Sequence, residues 1–129
     1  MWGNFISMPL LLKLLTVHAL SCVLGLINSV FPRGTLHLYG HAATYAEWWS
    51  SGAGVYFAAL GIAGPIVGVL FLRKSRYCRQ AYLGFLILAL VVPYVAAGSP
   101  AHTLITVAVI CTTMAYLYKW WATKEYFAP

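Results

Sequence analysis

SSGAGVYFAALGIAGPIVGVLFL, residues 50–72, runs without a break into RKSRYCRQ, residues 73–80. The first stretch carries no charge and matches the roughly 20 residues an α-helix needs to cross a hydrocarbon core. The second puts Arg73, Lys74, Arg76 and Arg79 into one short turn. A long apolar run that stops on a knot of cations reads as a membrane span ending at a leaflet surface, where Lys and Arg in short loops set the orientation.

Three further runs of the same kind flank it. Working outward, spans are predicted at about 8–30, 50–72, 81–97 and 101–121. Pro9 stands near the start of the first, where its missing N–H is harmless. Phe31-Pro32-Arg33-Gly34 ends that span, and Gly98-Ser99-Pro100 makes a minimal hairpin between the last two. Of the 129 residues, 62% are hydrophobic and 8% are charged, against about 25% charged in a soluble domain. So few charges cannot cover a water-facing surface. The expected fold is therefore all-α, one domain over 1–129, a four-transmembrane-helix bundle. The first run is read as a true span and not as a cleaved leader, because it outlasts an ordinary signal-peptide core and has only Lys13 on its N-terminal side.

Lys13, Arg73, Lys74, Arg76, Arg79, Lys119 and Lys124 fall on one side of this plan, and Arg33 alone falls on the other. The bias predicts a cytoplasmic basic turn and both termini in the cytoplasm. It also places segment 31–49 and the Gly98 hairpin on the exterior or lumenal side. The net charge of +6 is then explained by topology and by anionic headgroups, with no nucleic-acid partner. Bacterial inner membrane and eukaryotic endomembrane fit equally. Residues 35–49, TLHLYGHAATYAEWW, are expected to form a short interfacial helix running into span two, with Trp48 and Trp49 as anchors at the membrane surface.

The second span carries Gly54, Ala58, Gly61, Pro65 and Gly68 at spacings of four, three, four and three, and Gly64 with Gly68 makes a GxxxG. Small residues on one face let helix backbones approach closely in lipid. That face is expected to pack on the chain's own spans or to dock a membrane-protein partner or a second copy. Pro65 removes a backbone hydrogen bond and is expected to kink the span.

His18, Ser21, Gly25 and Asn28 form a polar and small stripe on span one. His18 falls close to mid-membrane, where ionisable groups are costly and mark function by default. Two roles fit it, an interhelical hydrogen bond and a proton-relay or catalytic group. On the exterior side His37 and His41 are four apart, which on a helix would put both rings on one face, as in metal sites. His102 lies at a similar height, and Glu47 adds a carboxylate. These are candidate catalytic residues and weak metal candidates, and the plainer reading is of interfacial histidines meeting water. Thr106, Thr113 and Tyr116 on span four read as structural hydroxyls bonded back to their own helix.

Cys22, Cys78 and Cys111 form no CxxC and no metal-ligand spacing, so no disulfide and no cofactor are expected. The chain has no phosphate-binding loop and no nucleophile elbow. Its only acids, Glu47 and Glu125, lie outside the spans, which argues against a proton-coupled drug carrier. The leading expectation is a protein that works by helix–helix association, as an accessory subunit or a protective partner. A small membrane enzyme using His18, or His37, His41 and His102 with Glu47, is the alternative. An oligomeric carrier subunit is the third.

Overall fold

The computed structural model of the chain describes residues 2–38 and 40–128. In chain order it forms α1 (Trp2–Ser7), α2 (Leu10–Ser21), α3 (Val23–Val30), β1 (Leu36–Leu38), β2 (His41–Ala43), α4 (Tyr45–Ser50), α5 (Ala53–Leu72), α6 (Cys78–Leu86), a π-helical turn (Ile87–Val91), α7 (Val92–Ala96), α8 (Pro100–Lys119) and α9 (Trp121–Tyr126). Four helical stretches are long and apolar enough to cross a membrane: Leu10–Val30, Ala53–Leu72, Cys78–Ala96 and Pro100–Lys119.

The boundaries differ from the sequence expectation for local reasons. Span two starts at Ala53 because Gly52 turns left-handed (φ 84°) and separates it from α4. Span three starts at Cys78, three residues early, because the basic turn is tighter than read. Lys74 adopts φ 52°, and Ser75 N–H and Lys74 N–H donate to the Leu70 and Phe71 carbonyls. That is a Schellman closure with a lysine where glycine is usual. The opposite turn repeats it with glycine: Gly98 has φ 64°, and Ser99 and Gly98 N–H donate to the Tyr94 and Val95 carbonyls. Span four ends at Lys119, since Trp120 is extended (ψ 126°) before α9 resumes.

Span one is not one continuous helix. The Cys22 N–H turns to the Ala19 carbonyl, three residues back. The carbonyl it would have met, that of His18, is taken by the Ser21 hydroxyl at 2.8 Å and the Cys22 thiol at 3.4 Å. Side chains that compete for helix carbonyls in this way loosen and bend a helix. α5 runs as a single helix from Ala53 to Leu72 with Pro65 inside it.

Residues 35–49 correct the expectation of an interfacial helix. The N-terminal part is a two-stranded antiparallel hairpin pairing Leu36 with Ala43, His37 with Ala42 and Leu38 with His41. Only Tyr45–Ser50 is helical. Thr44 and Glu47 start that helix with a capping box. Each satisfies a backbone N–H that the first turn leaves without a partner.

The buried core gathers at one end of the helices. Met8, Leu12, Val67, Phe71, Cys78, Tyr82, Phe85, Leu86, Ile110, Leu117 and Tyr126 form it. The terminal segments join that same end. The Asn4 amide donates to the Leu72 carbonyl at 2.9 Å and the Tyr126 hydroxyl to the Phe71 carbonyl at 3.2 Å. The basic turn 73–79 therefore shares one end with both terminal segments, and the hairpin lies at the other.

Candidate functional site

Spans one and two make the closest helix pair, and glycine makes that possible. A Cβ built on Gly61 would collide with Leu26 Cβ and sit 2.6 Å from the Leu26 backbone nitrogen. One on Gly64 would sit 2.6 Å from the Ala19 carbonyl oxygen and from Cys22 Cβ, and one on Gly68 2.7 Å from the Leu20 side chain. Gly54, the fourth buried glycine, meets the Trp48 and Trp49 rings instead. Ala58 and Pro65, on the same helix, are half-buried. The irregular turn at Cys22 thus rests directly on Gly64, and the small-residue face of span two is filled by span one of the same chain.

The hairpin end is closed by a buried polar chain that sequence reasoning missed. The Trp48 indole N–H donates to Ser29 Oγ at 3.0 Å, and that hydroxyl donates to the Gly54 carbonyl at 3.1 Å. Tyr45 adds a hydrogen bond to the Val30 carbonyl at 3.3 Å. Trp48 stacks on Phe57 (centroids 5.3 Å apart) and is buried. It plugs the gap between spans one and two at this end. Ser29 and Trp48 are 19 residues apart with the hairpin between them, so no local sequence pattern points to the pair.

The five candidate chemical residues separate. His41 and Glu47 line one hollow of about 340 Å³ with Leu38, Ser50 and Ser51. His37 pairs across the hairpin with Ala42, one position out of phase with the Leu38–His41 pair. The strand alternation of side chains therefore turns the two imidazoles to opposite faces, and the shared helical face expected of them does not exist. His102 is held in its own corner, with Nδ1 2.6 Å from Ser99 Oγ and its ring stacked on Tyr94 at 5.4 Å. Among the described residues no three His, Cys, Asp or Glu side chains gather as a metal ion would need.

Glu47 is already engaged. Its Oε2 accepts from the Thr44 N–H at 2.7 Å and the Thr44 hydroxyl at 2.9 Å. These bonds hold its carboxyl below the usual carboxylate range, the backbone bond most. A carboxylate fixed in the ionised form and spent on a helix cap is poorly placed to shuttle protons near neutrality.

His18 differs from all of these. It sits near the middle of span one, is exposed, and has only an edge-on contact with Phe85 (6.4 Å). Among the described residues its ring nitrogens have no hydrogen-bond partner. Ser21 and Asn28, further along the same stripe, are also exposed, and a Cβ on Gly25 would meet nothing within 4 Å. The polar stripe of span one therefore faces outward, beside the face that packs on span two.

No protein-family model, curated protein or solved structure matches the chain. The helices and their exposed groups are what bear on function.

Proposed function

We propose that this membrane-embedded chain works by association with another membrane helix, as an accessory subunit or protective partner. It would dock through the outward stripe of span one: His18, Ser21, Gly25 and Asn28. The observation that carries this is His18, a mid-span imidazole that is exposed and, among the described residues, unpaired. In hydrocarbon, polar side chains turn to protein or to water, because an unsatisfied polar group there is costly. A partner helix that supplies a hydrogen bond to His18 and approaches closely at Gly25 would remove that cost. The glycine face of span two supports the same reading by elimination, since span one already occupies it.

The seven cations at or near the basic end favour an orientation with that end, and both termini with it, in the cytoplasm. Reporter fusions at each terminus test this, and a translocated reporter at either would reject it.

Association is tested on Gly25→Leu and His18→Leu, compared with wild type in mild detergent by light scattering and by identification of co-purifying proteins. The expected result is loss of a dimer or of a named companion with the monomer still folded. A wild type that is monomeric and alone, or an association unchanged in both variants, defeats the proposal. The catalytic alternative would rest on His41, which lines a hollow beside the committed Glu47, and a turnover that vanishes on His41→Ala and survives Gly25→Leu would establish it instead.

A further inference from the structure

The basic turn is more than a row of orienting charges. With the C-terminal residues Phe127 and Ala128 it walls a hollow of about 560 Å³, lined by Lys74, Ser75, Arg76, Cys78 and Arg79. Three cations converge there, and among the described residues no carboxylate side chain lines it. Glu125 lines a separate hollow, which Lys74 also borders.

The cations are held in place and not left to wave in solvent. The Arg79 guanidinium lies between two rings, 4.8 Å from the Phe127 centroid and 5.1 Å from that of Tyr118. Lys74 Nζ sits 4.6 Å over Tyr126, and Arg76 lies 4.5 Å over Tyr77 while donating to its hydroxyl. Aromatic faces position a cation without neutralising it. The Arg79 Nε is buried and has no hydrogen-bond partner among the described residues. The N-terminus of α6 opens at the same place, with Tyr77 at its cap position and no side chain capping it. The Cys78 N–H is spent on the Ser75 carbonyl at 3.1 Å, so the Arg79 and Gln80 N–H groups are what the helix start presents to an anion, with its positive potential.

We infer that this hollow is a binding site for a phosphate group. Arg79 and Arg76 would supply paired N–H donors, Lys74 a point charge, and the start of α6 its amides. It lies where spans two, three and four end, at Leu72, Cys78 and Lys119. An anionic phospholipid headgroup is thereby brought to the mouth of the site, and free phosphate is the other source of the same chemistry. The inference is independent of how span one associates.

The full chain in neutral detergent is tested by native mass spectrometry against phosphatidic acid, phosphatidylglycerol, phosphatidylcholine and sodium phosphate. Retention of the anionic lipids, with phosphatidylcholine bound at least about tenfold more weakly, supports a headgroup site. Saturable binding of sodium phosphate alone supports the site with free phosphate as its ligand. Arg79→Lys keeps charge and stem but loses Nε and the planar fork. It is expected to weaken binding about tenfold, the scale of one charged hydrogen bond, as is the exposed Arg76→Gln. Lys13→Gln removes the same charge near the same end outside the hollow and is expected to change binding less than twofold. Equal losses for Lys13→Gln and Arg79→Lys, equal retention of all three lipids, or no binding of any probe would each overturn the inference.

Discussion

The Tyr56 hydroxyl on span two points at the Leu88 carbonyl (2.9 Å) and the Ala89 carbonyl (3.2 Å) on span three. Those two carbonyls are the ones that Pro93 leaves without a partner. Proline has no N–H to return to Ala89 four residues back, or to Leu88 five residues back in the π-helical turn. The Val92 N–H is already committed to the Ile87 carbonyl. A tyrosine on one helix thus mends the ladder of the next. Tyr56→Phe is expected to destabilise the protein by about 0.6–2 kcal/mol, the range for interhelical hydrogen bonds in membranes. Pro93→Ala should make that loss smaller, because an alanine at this position brings its own N–H. Unfolding titrations in mixed micelles of both single variants and the double variant measure the coupling. Additive effects would break the link between Tyr56 and Pro93.

The glycines of span two make a sharper contrast. Gly61→Ala drives a methyl into the Leu26 backbone, and overpacking of this kind costs about 1–3 kcal/mol. Gly84→Ala on α6 meets nothing within 4 Å and should raise stability by up to about 1 kcal/mol through helix propensity. The order of thermal midpoints should be Gly84→Ala highest and Gly61→Ala lowest, with wild type between.

Ser29 stands in the middle of a two-bond chain from the Trp48 indole to the Gly54 carbonyl. Ser29→Ala leaves a buried indole N–H without a partner, which costs about 1–3 kcal/mol. Adding Trp48→Phe removes the orphaned donor. Trp48→Phe should therefore cost less on the Ser29→Ala background than in wild type. A double-mutant cycle followed by thermal unfolding reads this directly, and equal costs on both backgrounds would contradict it.

The four spans were legible because length and lack of charge in 8–30, 50–72, 81–97 and 101–121 leave few other readings. The Gly98 turn was legible too, since only glycine easily takes its left-handed geometry. The break at Cys22 was not. It depends on which of two groups, a backbone N–H or a side-chain hydroxyl, wins the His18 carbonyl, and the apolar pattern runs straight through it. The hairpin was misread because a four-residue His spacing fits a helix as well as two short strands. The signal that separates them is Gly40 (φ 89°) between Leu36-His37-Leu38 and His41-Ala42-Ala43, and it is weak at three residues a side. Of the candidate chemistry, sequence named residues but not their neighbours: His41 and Glu47 share a hollow, while His37 turns to the other face of the hairpin and His102 sits against Ser99 and Tyr94. The outward turn of His18 was beyond sequence, because a stripe on a helix does not say what the stripe faces.

Acid should loosen the hairpin end first. The Glu47 carboxyl is held below its ordinary value of 4.5 by the Thr44 N–H and hydroxyl. A carboxyl depressed in the folded state contributes stability above the unfolded value and loses it as pH falls through the folded one. Stability is therefore expected to be flat above about pH 4.5 and to decline below it. Glu47→Gln should remove that acid decline while keeping most of the cap, because glutamine also completes a capping box. Thermal midpoints from pH 2 to 6 for wild type and variant check this. Parallel curves would show that Glu47 does not titrate as described.

At the basic end the sign is reversed. Burial pushes the Tyr126 phenol up from 10.0 to about 12, with the ionised Cys78 sulfur adding a smaller push, while Lys74 sits over the ring. The unfolded phenol ionises near pH 10, and the folded one keeps its proton as donor to the Phe71 carbonyl. Between pH 10 and 12 the unfolded state therefore binds fewer protons, so stability must fall across that window. The contribution is complete below pH 10 and gone above about 12. Tyr126→Phe lowers stability at neutral pH by about 0.5–1.5 kcal/mol, the net worth of the lost hydrogen bond. It should also flatten the alkaline decline. The wild-type curve should then close on the variant's above pH 10 and meet it before pH 12, and curves that stay parallel would mean that Tyr126 ionises as freely in the folded chain as in the unfolded one.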